Sequence, residues 1–270
     1  MYVDSHCHLD FPELSDRLPE VLANMAAAEV EHALCISVTL EDWPRVAALA
    51  GAHPQLSASV GVHPDNTGVR EPSVEELVAL SRTNKIVAIG ETGLDYYRAT
   101  GDLSWQRERF RNHIRAAREC GKPLIIHTRA AAEDTLRIMR EEGAGEVGGV
   151  MHCFTENWET AQAALELGFH ISISGIVTFR NAAVVRDVAA RVPDERLLIE
   201  TDSPYLAPVP FRGKTNEPAR VIHVAATVAE LRAAPVEAVA ATTTANFYRL
   251  FGAGHASVGT DAREWSPKSH

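Results

Sequence analysis

The sequence predicts a single (β/α)8 barrel, an expectation that rests on three observations. Short apolar runs, often β-branched, alternate with longer stretches of helical spacing, which is typical of parallel strands joined by right-handed crossovers. Eight such runs fit within about 250 residues, and their starts recur about every 28 residues, enough for a strand, a helix and two loops. The first strand is followed by HCHLD, whereas an open doubly wound sheet usually has a glycine-rich phosphate turn there.

The boundaries of the elements follow from periodicity and from glycine and proline signals. The helix expected at 105–118 places Phe110, Ile114 and Ala117 on one face, and Gly121 ends it. One barrel domain is expected over 1–251, and 252–270, which has little periodicity, is expected to be a flexible C-terminal tail. Strands are predicted at 2–6, 33–38, 57–62, 86–90, 124–127, 147–152, 170–174 and 197–200, and further helices at 134–141, 160–167, 181–192 and 218–231.

Composition excludes several classes of protein. The 270 residues are 46% hydrophobic and 23% charged, which is ordinary for a globular protein and removes the disordered and fibrous classes. The sequence has no apolar run long enough for a transmembrane helix and no signal peptide, and its four cysteines do not form a disulfide framework, so a cytoplasmic protein is expected. A net charge of −10 argues against binding nucleic acid through the overall field.

Histidine and carboxylate side chains recur at the C-terminal ends of the predicted strands. His6 and His8 are two residues apart on the first strand, so both project to the same side, and Cys7 faces the packed layer. In this barrel the C-terminal strand ends form the active site, and apolar strands that repeatedly end in polar residues are hard to explain by packing. Six residues are therefore predicted to bind metal: His6, His8, Glu91, His127, His152 and Asp202.

Four histidines and two carboxylates exceed what one catalytic zinc takes, so a pair of divalent cations is expected. We expect Glu91 to bridge them, because its strand lies between the two groups of ligands. His6, His8 and Asp202 would hold one ion, and His127 and His152 the other. Such a pair can activate water and clamp a phosphoryl group, with Asp202 as general base. Mixed nitrogen and oxygen ligands do not select among Zn, Mn, Fe, Ni and Co, and make Mg less usual.

Further polar residues follow the same strand ends. His63 is left without a role by this count, and binding substrate, supporting a ligand and a purely structural role remain open. Glu200 is expected to face inward, where it could orient a ligand or be paired with a basic neighbour, and Cys153 is expected to be packed away from the site. Guanidinium and ammonium groups suit phosphate oxygens, so the candidate substrate residues are His63, Arg98, Arg129, Arg180, Arg212 and Lys214.

Together these motifs resemble the TatD family of metal-dependent deoxyribonucleases, which are amidohydrolase-like barrels, from about residue 2 to 251. The resemblance implies the six metal ligands named above and hydrolysis of phosphodiester bonds in DNA, often from a 3′ end. Two positions depart from the family's usual residues, Ala130 and Glu156, and both border the mouth. The matching motifs are DSHCHLD at 4–10, GVHP at 61–64, GETGLDYYR at 90–98, QRERFRNHI at 106–114, PLIIHTR at 123–129, MHCFT at 151–155, ETDSPYLAP at 200–208, GKTNEP at 213–218 and NFYRLF at 246–251.

The expected partner is DNA, as single strands or frayed 3′ ends, with no membrane and no obligate protein partner. An alternative is a hydrolase of an ester or amide, such as a D-aminoacyl-tRNA deacylase or a lactonase. Cations near the mouth favour the phosphodiesterase, as does Glu91 at the place where amide-hydrolysing barrels of this kind carry a carboxylated lysine. A non-enzymatic metal-binding protein is the third hypothesis, and open coordination positions would argue against it.

Overall fold

The computed structural model describes residues 1–97 and 99–252 and confirms the predicted barrel. The described residues form eight strands, each parallel to the next, in the order in which they occur in the chain. A bridge between Cys7 and Ser203 links the first and last strands beyond this sheet. The strands are β1 Tyr2–Cys7, β2 Val30–Cys35, β3 Leu56–Val60, β4 Ile86–Asp95, β5 Leu124–Arg129, β6 Gly149–Met151, β7 Phe169–Ile173 and β8 Leu197–Ile199.

Helices follow the strands and form the outer layer. They are α1 Pro12–Ser15, α2 Leu18–Ala27, α3 Trp43–Ala52, α4 Val74–Ser81, α5 Ser104–Cys120, α6 Ala132–Glu141, α7 Trp158–Glu166, α8 Ala183–Arg191, α9 Val221–Arg232 and α10 Val236–Phe251. In the described part of the chain, none of the helices is long and apolar enough to cross a membrane. Gly252 ends α10 with a left-handed φ of 56°. The rest of the predicted tail, 253–270, and Arg98 lie outside the described residues.

Strand β4 is longer than predicted, and this brings its C-terminal half beside β5. Gly93 pairs with His127 and Asp95 with Arg129. A Cβ atom on Gly93 would lie 2.0 Å from the carbonyl oxygen of His127, so only glycine allows the two backbones to approach this closely. By contrast, β6 and β8 are short, so that His152 and Asp202 lie just beyond their ends.

The barrel interior is apolar at its N-terminal end. Val3, Leu34, Ile125 and Leu198 form a buried cluster there with Phe247 of α10, which packs against β1 and β8. A second, larger core lies between the sheet and the helices and includes Phe110 of α5. Because these side chains fill the N-terminal end of the barrel interior, the polar residues at the C-terminal ends of the strands are supported by a tightly packed core.

Helix α5 buries a polar residue, His113. It is fully buried, its Nε2 accepts a hydrogen bond from the backbone N–H of Val62 (3.0 Å), and Nδ1–H donates to the carbonyl oxygen of Arg109 (2.8 Å). Burial, reinforced by the charge of Arg109, lowers the pKa of His113 to about 4. The imidazole is therefore neutral and links α5 to the segment that follows β3.

Acidification is expected to destabilise the fold through this histidine. The folded state holds the pKa of His113 below the ordinary value of an unfolded chain, so its contribution to stability is present at neutral pH and is lost as pH falls from about 6.5 towards 4. Between about pH 7.5 and pH 5 this amounts to roughly 2 kcal/mol. His113→Gln keeps an acceptor for the Val62 N–H but does not titrate, so urea unfolding should show a pH-dependent loss smaller by that amount.

The matched control is His53→Gln, since His53 is only partly buried at the end of α3. It makes the same change of side chain outside the buried core, so the difference between the two variants isolates the effect of the buried position. An unchanged slope in His113→Gln would show that His113 does not couple stability to pH.

Candidate metal centre

The six residues predicted to bind metal lie together at the C-terminal end of the barrel. Five of them line a cavity of about 740 Å³, and His6 lies fully buried beside them. They come from β1, β4 and β5 and from the segments just after β1, β6 and β8. The barrel thus brings together side chains that are up to 196 positions apart in the chain.

Glu91 stands at the centre of the group, and its two oxygens face different histidines. Oε2 lies 3.3 Å from Nε2 of His6, whereas Oε1 lies 2.7 Å from Nε2 of His152 and 3.3 Å from Nδ1 of His127. The carboxylate is buried, with only 2% of the residue exposed. It therefore lies between two groups of nitrogen donors, as the sequence predicted for a bridging residue.

Glu200 determines which nitrogen of His152 is free. Its Oε1 accepts a hydrogen bond from the backbone N–H of Cys153 (2.8 Å) and lies 3.2 Å from Nδ1 of His152. Because an ionised carboxylate only accepts hydrogen bonds, the ring proton of a neutral His152 belongs on Nδ1. The lone pair of Nε2 then points at Glu91. This matches the orienting role that the sequence suggested for Glu200.

Asp95 acts in the same way on His127, and the sequence analysis missed it. Its Oδ2 lies 3.0 Å from Nε2 of His127, so the ring proton belongs there and the lone pair of Nδ1 faces Glu91. Residues an even number of positions apart share one face of a strand. The spacing of Glu91 and Asp95, four residues apart on β4, could therefore have identified it.

His6, His8 and Asp202 form the other side of the centre. Oδ1 of Asp202 lies 3.7 Å from Nε2 of His6 and 3.4 Å from Nε2 of His8. Their backbones are joined as well, because Asp202 N–H donates to His6 O (2.9 Å) and His8 N–H donates to Ser203 O (2.8 Å). The junction between the first and last strands thus aligns the three side chains.

The donor set fits a divalent cation. Both ring nitrogens of His6 and Nδ1 of His8 are buried with no aligned hydrogen-bond partner among the described residues, a costly arrangement without a ligand. A tetrahedral zinc site with bonds of about 2.1 Å places neighbouring donors roughly 3.4 Å apart. The spacings of 3.3–3.7 Å around His6 and Asp202 have that size. The described part of the chain contains three candidate triplets: His6, His8 and Glu91; His6, His152 and Asp202; and His63, Glu91 and His127.

The electrostatics keep both carboxylates ionised. Burial raises the pKa of the Glu91 carboxyl, but interactions with the imidazoles of His152, His63 and His6 and a contact with His127 outweigh it and hold that pKa well below its usual value. For Asp202 burial again raises the pKa, and contact with His8 together with the fields of His6 and His152 lowers it overall. Both groups therefore present anionic oxygens at neutral pH, which suits a cation, and Asp202 can accept a proton.

The residues predicted to bind substrate form two groups in the structure, one that lines the cavity and one that does not. His63 and Arg129 line the cavity, and the guanidinium of Arg129 stacks 3.8 Å from the ring of Tyr97. Three other cations are exposed on the loops after β7 and β8 and are not among the residues lining the cavity: Arg180, Arg212, which stacks on Phe179, and Lys214.

The expectation for Cys153 was wrong. The sequence placed it on a strand facing away from the site, but β6 ends at Met151 and Cys153 has a φ of 42°. This turn directs the residue to the cavity wall, where Sγ lies 3.3 Å from Oγ of Ser174. Burial raises the pKa of its thiol well above the usual value, and nearby Asp202 and Glu200 add to the effect. Cys153 therefore lines the site as a neutral thiol.

A family model described as "TatD related DNase" matches residues 3–252 of the chain. The chain belongs to the TatD family. This confirms the resemblance drawn from the motifs over almost the whole of the barrel.

Relatives in this family support a metal-dependent hydrolase. The chain is 51% identical to the uncharacterized metal-dependent hydrolase YcfH of Escherichia coli K12 over 253 residues, covering 92% of this chain and 95% of YcfH. It is 41% identical to the uncharacterized metal-dependent hydrolase YabD of Bacillus subtilis, covering 93% and 99%. The crystal structure of the TatD homologue YJJV of E. coli K12 superposes with a TM-score of 0.86 at 31% identity, over 93% of this chain and 98% of that one.

Proposed function

We propose that this TatD family member hydrolyses phosphodiester bonds in DNA, using two divalent cations held by His6, His8, Glu91, His127, His152 and Asp202. The single observation that carries the proposal is the position of Glu91, whose two oxygens face separate histidines, His6 on one side and His127 and His152 on the other. A carboxylate placed in this way can bridge two ions.

Different residues of the chain would have different roles in the reaction. Divalent cations at such a centre acidify water and neutralise negative charge on a phosphoryl group. Asp202 would take the proton of the attacking water at its carboxylate, which lies at the cavity wall and is ionised. Glu200 and Asp95 would hold His152 and His127 with the correct nitrogen facing inward.

The charge of the cavity supports a metal-dependent reaction with an anionic substrate. Asp65, Glu91, Asp95 and Asp202 all line it, and Arg129 is the one predicted substrate cation among its lining residues in the described part of the chain. A phosphate could not approach four carboxylates without further positive charge. Two divalent ions would add +4 and reverse the local sign, although the whole chain carries −10.

The shape of the mouth supports a strand end as the substrate. Phe11 and Tyr205 line the cavity beside His8, and Arg129, which also lines it, stacks on the ring of Tyr97. Aromatic rings of this kind stack on unpaired bases, and an arginine binds phosphate oxygens. A concave, half-open cavity of about 740 Å³ fits a single-stranded or frayed 3′ end better than continuous duplex DNA. The cytoplasmic location and the lack of an obligate protein partner stay predictions.

A side-by-side assay tests the proposal. Single-stranded DNA, double-stranded DNA, a D-aminoacyl-tRNA and a lactone would be incubated with the protein and Mn²⁺, Mg²⁺ or Zn²⁺. We expect hydrolysis of single-stranded DNA, its loss on chelation and its recovery when metal is restored. Preferential hydrolysis of the aminoacyl ester or the lactone would favour the alternative, and cleavage that survives chelation would contradict the two-cation centre.

A further inference from the structure

The segment that carries His63 is held by the buried polar face of α5. His63 N–H donates to Val38 O (2.9 Å), and its own carbonyl oxygen accepts from Nη1 of Arg109 (2.8 Å). Gln106 donates from Nε2 to the carbonyl oxygen of Pro64 (3.0 Å), and His113 holds the N–H of Val62. The motif QRERFRNHI thus acts as a support that fixes the backbone of residue 63 beside the metal centre.

The imidazole of His63 is fixed as well, by a backbone amide two residues further on. The N–H of Asp65 donates to Nδ1 of His63 at 3.0 Å. Since Nδ1 accepts this hydrogen bond, the proton of the neutral ring belongs on Nε2. Rotating the ring by 180° would place a carbon against the amide and would lose the bond, so the hydrogen-bond pattern assigns the ring orientation and the tautomer together.

In this tautomer His63 turns a protonated nitrogen towards Glu91, whereas the neighbouring histidines turn unprotonated nitrogens towards it. His127 and His152 turn unprotonated nitrogens towards Glu91, because Asp95 and Glu200 hold the proton on the far side of each ring. His63 turns its Nε2–H inward, 3.3 Å from Oε1 of Glu91. To bind a cation through Nε2 it would have to carry its proton on Nδ1, where it would meet the N–H of Asp65.

We propose that His63 is not a metal ligand but a fixed hydrogen-bond donor, whose Nε2–H binds an oxygen of the scissile phosphate. The proposal rests on the phosphodiesterase function above. Its geometry is suitable, since the side chain lines the cavity and is 20% exposed, whereas that of His6 is fully buried. The Asp65 N–H holds the ring in the orientation that presents Nε2–H to the cavity.

The first test determines which nitrogen of His63 carries the proton and measures the affinity for metal, both in the absence of substrate. Long-range ¹⁵N–¹H NMR of the full-length protein, free and loaded with Zn²⁺, should show the His63 proton on Nε2 in both states, with His63→Gln used to assign the signal. Zn²⁺ affinity, from a competing chelator, should change less than about threefold in His63→Ala, whereas His127→Ala should lose at least about tenfold. A proton on Nδ1, or a loss in His63→Ala as large as in His127→Ala, would overturn the proposal.

The second test measures catalysis on single-stranded DNA at saturating metal. Removing a donor to a charged oxygen should lower kcat/KM of His63→Ala by about 10- to 100-fold. His63→Gln, whose amide N–H can reach the same region, should recover part of that loss. Equal activity of His63→Ala and the unaltered protein would contradict the proposal. If the unaltered protein fails to cleave DNA, the phosphodiesterase function fails, and with it the phosphate as the acceptor, whereas the NMR and Zn²⁺ results still decide whether His63 is a donor or a ligand.

Discussion

Asp202→Asn is expected to lower kcat for single-stranded DNA by about 10³-fold without unfolding the barrel. Asparagine keeps the shape of the side chain and the backbone hydrogen bond to His6 O, but it removes the anionic oxygen that lies 3.4 Å from His8 Nε2. The centre loses a ligand charge and its proton acceptor together. Turnover would be measured with saturating Mn²⁺, and circular dichroism and thermal unfolding would report on the fold.

The matched control for this substitution is Asp187→Asn on α8, where the carboxylate is exposed and pairs with Arg191 on the same helix. Surface pairs of this kind contribute about 0.3–0.5 kcal/mol, so the control should keep full turnover. An Asp202→Asn variant that hydrolyses DNA within a few-fold of the unaltered protein would remove Asp202 from the reaction.

Glu91→Gln is expected to have an effect at least as large and to act on metal binding first. The neutral amide cannot bridge two cations, and its NH2 group would face the nitrogens of either His6 or His127 and His152. Bound metal after dialysis, measured by elemental analysis, should fall from two equivalents to one or fewer. Turnover of DNA should fall by at least about 10³-fold.

Glu166→Gln on α7 is the control, because Glu166 is exposed and its side chain contacts only Gln162 among the described side-chain hydrogen bonds. It should bind the same amount of metal as the unaltered protein. If Glu91→Gln retains two equivalents of metal, Glu91 is not the bridging residue, and the proposed arrangement of the centre is wrong.

The fold was predictable because barrel strands follow one another in space as they do in sequence. All eight predicted strands occur, and α5 buries Phe110, Ile114 and Ala117 as its spacing indicated. The ends of strands were less predictable: β4 continues to Asp95 because its pairing with β5 persists past Glu91. That pairing depends on Gly93, which lets the backbones of β4 and β5 approach closely. Such a contact between strands cannot be predicted from the local pattern of apolar residues.

The polar residues of the site could be identified from the sequence, but the distances between them and their grouping around each ion could not. The six candidate ligands were named from strand ends, and they lie together. The predicted division between two ions is less clear in space, because the rings of His6 and His152 stack with centroids 3.8 Å apart, and one candidate triplet joins them with Asp202. Distances across the barrel depend on strand tilt and register, which no local pattern specifies.

The sequence by itself determined the architecture and the set of residues in the candidate metal centre, because apolar periodicity specifies strands and helices and the residues that follow the strands lie at the open end of the barrel. Only the tertiary structure decided which nitrogen of each histidine faces the centre. That choice depends on contacts made on the far side of each ring: Glu200 for His152, Asp95 for His127 and the N–H of Asp65 for His63. The first contact joins residues 48 positions apart and the second 32, whereas the third is local and acts only because α5 holds its segment in place.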